Sequence, residues 1–228
     1  MKARTFGLAL TLVLLQLISV VFASDQVTVV EVQDEPRHHV VFENTFVRIL
    51  EVEIAPGDTT LYHRHRRNNV AVAMGPGERS VQILGSEMSA VLPTAQGDLL
   101  MQRAEGEGFV HRVHDAGGTP LRFTDIEFIK PTGISPTPNS VALKPMSENE
   151  FYRAYKLTLA PAEASPPLTI GPGIHVILVG SQLQRIDKDG HVAVIDTTVH
   201  SWQWHEAGTY RLRNAASSTA QMVEIELK

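Results

Sequence analysis

The sequence repeats itself, and this repeat limits the possible folds more than any other feature of the chain. Residues 48–75 (RILEVEIAPGDTTLYHRHRRNNVAVAMG) align without a gap with residues 153–180 (RAYKLTLAPAEASPPLTIGPGIHVILVG), at an offset of 105 positions. Both segments begin with an arginine, share an Ala-Pro turn and end with a glycine. The pattern returns at an offset of 99, where DIEF (125–128) falls on EIEL (224–227). The sequence therefore predicts a tandem of two similar domains, the second about six residues shorter in its middle.

Each repeat consists of short runs in which apolar and polar residues alternate. VRILEVEIAP, VAVAM, SVQIL and LRFTDIEFI are such runs, and glycine- and proline-rich stretches such as MGPGE and AQGD separate them. Alternation with a period of two is typical of half-buried β-strands, and the Asp-Gly pair of DKDG (187–190) favours a tight hairpin. These patterns predict an all-β chain with domains at 24–130 and 151–228, joined by a proline-rich linker at 131–150.

Residues 1–23 (MKARTFGLALTLVLLQLISVVFA) have the pattern of a secretory signal peptide. Lys2 and Arg4 precede an apolar run, and Val21 and Ala23 occupy the positions before the expected cut. A retained membrane anchor is the alternative, because the run approaches the length that spans a bilayer. Polar residues dilute the run, so we expect cleavage, a secreted or periplasmic location and no membrane partner afterwards.

Composition narrows the classes of partner and site. Removing residues 1–23 takes away two of the 20 basic residues and none of the 25 acidic ones, which changes the net charge from −5 to −7. An acidic chain is a poor candidate for binding nucleic acid. The absence of cysteine excludes disulfides, thiolate metal sites, iron–sulfur clusters and a cysteine nucleophile. The GxSxG, GxxxxGK and HExxH motifs are absent as well.

The segment YHRHRRNN (62–69) carries the main chemical signal. Residues i and i+2 of a strand face the same side about 7 Å apart, so the imidazoles of His63 and His65 can converge on one ion. A third ligand must come from a neighbouring strand, and His111 is the natural supplier. His114 is expected on the opposite strand face. An isolated His-x-His pair is a solvated polar patch more often than a site, but three histidines in matching context favour a metal site.

These residues resemble the cupin superfamily. GDTTLYHRH (57–65) is similar to the first cupin motif, a glycine followed after five residues by His-x-His, and GFVHRVHDAGGTPLRF (108–123) resembles the second. The resemblance covers both halves and implies a bicupin, that is, two tandem jelly-roll β-barrels. In the family a glutamate four residues after His-x-His usually serves as a fourth ligand. Here that position holds Asn69, with Asn68 beside it, which leaves the metal and its coordination number open.

The second repeat lacks the three histidines. The matching positions hold Leu168, Ile170 and Tyr210, whose apolar volume is suited to filling a barrel interior. The sequence therefore predicts a degenerate second domain without the same metal site. The segment HSWQWHE contains His200, Trp202, Trp204 and His205. No partner spacing accompanies it, so we do not expect ligands there.

Three neutral imidazoles without a glutamate leave up to three metal positions open to water, substrate or dioxygen, an arrangement typical of catalytic sites. Imidazole suits Fe, Zn, Ni and Cu and is tolerated by Mn, so we expect one divalent transition metal of undetermined identity. Among cupins, a three-histidine site resembles that of Fe(II) dioxygenases that act on thiols, diketones and hydroxylated aromatic acids. The hypothesis that follows is an exported, metal-dependent enzyme acting on a small molecule.

Two other functions stay open. A non-enzymatic cupin could hold a small ligand or a metal for storage or sensing, with Asn68 and Asn69 hydrogen-bonding a neutral polar ligand. A structural protein with a residual metal site is the other. Tyr62 could supply a hydrogen bond to a substrate, although strand parity points it away from His63. A homo-oligomer also stays open, although two lobes in one chain can replace the dimer of single-lobe relatives.

Overall fold

A computed structural model describes residues 27–134, 143–179, 182–195 and 201–228. The predicted signal peptide, the middle of the predicted linker and His200 lie outside these residues. In the described part of the chain, no helix is long and apolar enough to cross a membrane.

The first half folds into two facing sheets. Its strands are β1 (Val29–Glu31), β2 (His38–Glu43), β3 (Val47–Ile54), β4 (Tyr62–His65), β5 (Asn69–Ala73), β6 (Gly77–Ile83), β7 (Leu92–Thr94), β8 (Leu99–Gln102), β9 (Phe109–Asp115) and β10 (Leu121–Phe128). A 3₁₀-helix at Val32–Asp34 connects β1 and β2. Sheet A has the order β1-β4-β9-β6-β7, and sheet B has the order β2-β3-β10-β5-β8.

The second half repeats this arrangement. Its strands are β11 (Ser147–Glu148), β12 (Tyr152–Leu159), β13 (Leu168–Ile170), β14 (Gly173–Val179), β15 (Leu183–Asp187), β16 (Val192–Val194), β17 (Trp202–His205), β18 (Gly208–Asn214) and β19 (Ala220–Leu227). Sheet C has the order β11-β12-β19-β14-β17, and sheet D has the order β13-β18-β15-β16. The predicted DKDG hairpin joins β15 to β16, with Gly190 at φ +85°. The prediction of an all-β chain with two tandem jelly rolls is confirmed.

The central strands of sheets B and C are buried on both faces, because the two jelly rolls pack back to back through them. Strand alternation divides β3 between two cores: Val52 and Ile54 face the interior of the first jelly roll, whereas Val47 and Ile49 pack against the second half. Trp202 contributes to this shared core, with its ring 5.3 Å from that of Phe42. The tryptophans of HSWQWHE therefore stabilise the contact between the halves, and Trp204 also lines a cavity of the second half together with His205.

The strand pairings agree with the sequence alignment of the two repeats in some strands and differ from it by one residue in others. His63 lies opposite His111 in β4 and β9, and Leu168 lies opposite Tyr210 in β13 and β18, as the two offsets predict. In β5 and β14 the register differs by one residue. Asn69 pairs with Glu127, and the residue that pairs with the equivalent Glu226 is Gly173, at an offset of 104. The ungapped alignment is therefore wrong in this strand, since the loop before β14 is one residue shorter.

The interiors of the two jelly rolls differ in packing. The second contains a large apolar core that includes Leu168, Ile170 and Tyr210, the residues that replace the three histidines. The core of the first is smaller and is built around Ile54 and Phe123. The space that remains between sheets A and B is the location of the candidate site.

Candidate metal centre

The three histidines predicted as ligands meet inside the first jelly roll. β4 and β9 are adjacent antiparallel strands of sheet A, and alternation directs these side chains inward. The ring centroids lie 4.5 Å apart for His63 and His111, 5.1 Å for His63 and His65, and 5.2 Å for His65 and His111. All three side chains are buried. These are distances between rings, and the ligand atoms that lie within 4.8 Å of one another belong to His38, His63 and His65, not to His111.

A fourth histidine, which the sequence analysis did not consider, faces them from the other sheet. His38 lies on β2 of sheet B, and its ring centroid is 4.5 Å from that of His63 and 6.3 Å from that of His65. One ring nitrogen from each of these three residues lies within 4.8 Å of the other two. His38 therefore occupies space that a fourth ligand could use, in a chain that has Asn69 at the position where the first cupin motif has glutamate.

Hydrogen bonds on the far side of two rings orient them toward the centre. His63 Nδ1 donates to the carbonyl oxygen of Leu61 at 2.9 Å, and His38 Nδ1 contacts a carboxylate oxygen of Glu35 at 2.7 Å. Such bonds place the proton on Nδ1 and leave Nε2 with a free lone pair, the form that binds metals. His63 Nε2 and both ring nitrogens of His111 are buried without a partner. These orphaned nitrogens fit a metal ion as the missing partner.

Glu35 is held as a carboxylate beside His38. Burial raises its pKa, but the hydrogen bonds from His38 and from the backbone N–H groups of Arg37 and Leu61 outweigh burial and hold the pKa to about 2. The two backbone bonds measure 2.8 Å and 3.1 Å, and the Arg37 guanidinium adds an ion pair at 3.2 Å. An ionised carboxylate on the far side of an imidazole makes that imidazole a stronger ligand.

The other three histidines are neutral at physiological pH. Burial, and to a smaller extent the neighbouring His38, lower the pKa of His63 to about 4. Burial is the main cause, and repulsion from neighbouring histidines the smaller one, that lowers the pKa values of His65 and His111 well below 6.5. Metal binding requires unprotonated imidazole, so the site does not have to lose protons before an ion enters.

Two carboxyl groups of β10 approach the histidines from sheet B. His65 Nδ1 is 3.9 Å from both Asp125 and Glu127. Burial raises the pKa of Asp125 to about 7, against the opposing effect of a 2.6 Å hydrogen bond from Asn69. Burial also raises the pKa of Glu127, while Arg48 opposes this. Asp125 can therefore exchange a proton near neutral pH at the wall of the site.

The structure separates the remaining predicted residues. Asn69 is buried in the site, and its Oδ1 has no hydrogen-bond partner. Asn68 instead accepts a 3.1 Å hydrogen bond from the backbone of Ala104 and holds a loop. Tyr62 points to the outer face of sheet A, where Arg112 lies 4.8 Å from its ring centroid. Of the three candidates for substrate contact, the structure brings only Asn69 to the histidines.

A cavity of about 380 Å³ lies between sheets A and B and opens onto the histidines. Polar residues line one part of it, and apolar residues such as Val81, Leu100 and Phe123 line the rest. Arg79 also lines the cavity, and its Nη1 is buried without a hydrogen-bond partner. Burial lowers the pKa of this guanidinium against the opposing charge of Asp98, and no carboxylate among the described residues lies within 4.0 Å of it. This volume is in the range of small-molecule sites.

Sequence comparison with protein-family models and with curated proteins finds no match. Structure comparison finds a cupin 2 conserved barrel domain protein from Leptotrichia buccalis, at 12% identity and a TM-score of 0.53, covering 84% of this chain and 88% of that chain. Oxalate decarboxylase from Lactobacillus farciminis is similar at 10% identity and a TM-score of 0.56, covering 80% and 77%.

A mutant of salicylate 1,2-dioxygenase from Pseudoaminobacter salicylatoxidans is similar at 9% identity and a TM-score of 0.54, covering 80% of this chain and 71% of that chain. At these identities the comparisons establish the fold alone. This fold is the one that the resemblance of the His-x-His motif to the cupin superfamily implied.

Proposed function

We propose that this chain is an exported, metal-dependent cupin enzyme that acts on a small organic acid in its first jelly roll. The observation that carries the proposal is the convergence of buried imidazoles, with unpartnered nitrogens, on a cavity that is also lined by an arginine whose Nη1 has no hydrogen-bond partner. The pattern of residues 1–23 supports export.

His63, His65 and His111 would hold the ion, with His38 as a further imidazole from sheet B. The donor set suits a divalent transition metal such as Fe, Mn, Zn, Ni or Cu, which would supply a Lewis acid or a site for dioxygen. Asp125 lies beside His65 and would accept or release the proton of a substrate hydroxyl or carboxyl group. The apolar lining of the cavity would exclude water from the reacting atoms.

Arg79 is the reason for proposing a substrate with a negative charge. A guanidinium stays protonated in proteins and presents paired N–H donors that match a carboxylate. Since Nη1 of Arg79 has no protein partner, a carboxylate in the cavity would satisfy it. Salicylate and oxalate, named for two similar structures, are both small carboxylic acids. This agreement supports a proposal of the substrate class and does not identify the substrate.

The test begins with the transition-metal content of the purified chain from residue 24 onward. Oxygen uptake and carbon dioxide release are then measured with a panel of small carboxylic acids. We expect one ion bound at the histidines and turnover that is lost in a His63→Ala/His65→Ala variant. The His39→Ala variant is a matched control, because His39 is exposed on the same strand as His38. Absence of a bound transition metal, with equal behaviour of wild type and variant, would contradict the proposal.

One observation favours a second candidate, a non-enzymatic metal-binding protein. If His38 binds together with the other imidazoles, four protein ligands surround the ion, and four-coordinate sites of this kind are closed and structural in most zinc proteins. Azide added to the chain loaded with Co²⁺, whose visible absorption depends on its ligands, distinguishes the two functions. A spectral change shows an exchangeable position and favours the enzyme, whereas an unchanged spectrum without turnover favours the storage protein.

A further inference from the structure

We propose that the second jelly roll contains a metal site of its own, formed by His175, His205 and Glu224. This inference does not depend on the first site being catalytic. The three residues lie on β14, β17 and β19 of sheet C, not at the positions that match the histidines of the first jelly roll. They are an interior cluster on the opposite wall of the barrel from Leu168 and Ile170.

The three side chains converge as metal ligands do. His205 Nε2 lies 2.6 Å from Glu224 Oε1, and His175 Nε2 lies 2.9 Å from Glu224 Oε2. The two imidazole centroids are 4.3 Å apart, and the ligand atoms all lie within 4.8 Å of one another. Each of the three residues is at most 3% exposed. Two imidazoles and one carboxylate form a common donor set for Zn and for non-haem Fe(II).

Hydrogen bonds do not account for all the polar atoms of the cluster. His175 Nε2 lies 2.9 Å from Glu224 Oε2 but shares its hydrogen bond with the Tyr210 hydroxyl at 3.2 Å, and both Glu224 Oε2 and His175 Nδ1 are buried without a hydrogen-bond partner. Unsatisfied buried polar groups are rare in folded proteins and call for an explanation. A cation beside Glu224 Oε2 provides one for the carboxylate.

The backbone leaves room for the cluster at one specific residue. A Cβ atom on Gly173 would lie 3.0 Å from both Glu224 Oε1 and His205 Nε2, and 2.3 Å from the carbonyl oxygen of Ile225. The equivalent position in the first jelly roll is Asn69, which fills this space and bonds to Asp125. The lack of a side chain at Gly173 therefore lets a carboxylate and an imidazole approach each other.

An ion can reach the cluster from outside. A cavity of about 250 Å³ is lined by His175, His205, Gln203 and Arg185. Burial raises the pKa of Glu224, but charged imidazoles at His205 and His175 outweigh burial and lower it to about 2, an effect that belongs to the cluster without a metal. The alternative is a metal-free ion pair in which Glu224 bridges the two imidazoles. The experiment must separate these two states.

Equilibrium dialysis with Co²⁺, followed by its visible absorption, tests the site in the full mature chain. The background variant is His38→Ala/His63→Ala/His65→Ala, which leaves one histidine in the first site, together with His191→Ala, because exposed His191 lies near Asp187 and could bind Co²⁺ weakly. We expect this background to bind one equivalent of Co²⁺. Adding Glu224→Gln should weaken binding by at least about 10-fold.

Gln203→Ala is the matched control, because Gln203 lines the same cavity but offers no ligand of the cluster. It should leave Co²⁺ binding unchanged. Circular dichroism checks that each variant is folded, and if Glu224→Gln does not fold, the binding stoichiometry of the background decides by itself. A folded background that binds no Co²⁺, or Co²⁺ binding that Glu224→Gln leaves unchanged, overturns the proposal in favour of the metal-free ion pair.

Discussion

At the scale of single residues, the first site depends on a histidine that lies far from the motif in the sequence. His38 faces His63 with 4.5 Å between ring centroids, and Glu35 orients His38 from behind. Carboxylates that orient ligating histidines commonly contribute about 10–100-fold to metal affinity. His38 and Glu35 are therefore expected to act as a pair.

The first prediction concerns this pair. His38→Ala and Glu35→Gln should each lower metal affinity by about 10–100-fold, because the first removes an imidazole and the second removes the charge that strengthens it. Competition with a chromogenic chelator measures the affinity. The His39→Ala control should match the wild type, since His39 is exposed on the same strand. Equal affinity in all four proteins would show that His38 does not bind the ion.

The second prediction concerns the cavity arginine. Arg79→Met keeps most of the side-chain volume but removes the guanidinium, so KM for a carboxylic acid substrate should rise by about 10–100-fold, the effect of losing one charge-assisted hydrogen bond. Arg112→Met is the matched control, because Arg112 lies on the next strand and covers the outward-facing ring of Tyr62. A neutral substrate analogue should bind Arg79→Met and wild type alike. A similar KM rise in both variants would point to a general structural effect.

The sequence could predict part of this site because His63, His65 and His111 follow a local rule. Strand alternation aligns the first two, and the second motif supplies the third. His38, Asp125 and the cavity position of Arg79 depend on how sheet B faces sheet A. That packing involves contacts between distant residues, and no local period encodes it.

At the scale of strands, the loop before β14 is one residue shorter than its counterpart before β5, and this difference decides which side chains of β14 face the interior of the second jelly roll. The ungapped alignment places His175 over Val70, which faces the shared core. The observed register places His175 over Ala71, which faces the interior of the first jelly roll. A slip of one residue moves every side chain of a strand to the other face. The residues of β14 have the pattern of a buried strand in either alignment. The sequence alone could therefore predict the strand but not its register.

The third prediction tests the close packing at the start of β14. Gly173→Ala should destabilise the chain by about 1–3 kcal/mol, because the new methyl group would overlap the carbonyl oxygen of Ile225 at 2.3 Å. Urea denaturation followed by tryptophan fluorescence measures the change. Gly75→Ala is the control, since a Cβ there has no neighbour within 4 Å and the backbone has no positive φ. Equal stability of the two variants would mean that β14 can move away from β19.

At the scale of the whole molecule, the two jelly rolls share one core. Ile49 and Val70 of the first half and Ile174 and Ile225 of the second belong to the same buried cluster. Either half alone would expose this apolar face to water, at a cost of roughly 25 cal/mol per Å². The halves are therefore expected to unfold together.

The fourth prediction follows from the shared core. Ile49→Ala should lower the free energy of unfolding by about 2–5 kcal/mol, because it leaves a cavity between the halves. Calorimetry should show one transition for both halves, at a lower temperature than in the wild type. Val194→Ala is the control, since Val194 is 72% exposed on the edge strand β16. Two separate transitions would show that the halves are stable independently.

The back-to-back packing of sheets B and C also determines how such a chain can evolve. Along β5 and β14, Val70 and Ile174 face the other half, so a change in either one disturbs both halves at once. Their neighbours Asn69 and Gly173 face one interior each, so a mutation there is tested by selection in one half only. After a duplication, one jelly roll could exchange its histidines for leucine and isoleucine and place different polar groups on its other sheet. The shared core between the two jelly rolls would not have to change. Relatives of this chain should vary more at the interior positions of these strands than at the positions between the sheets.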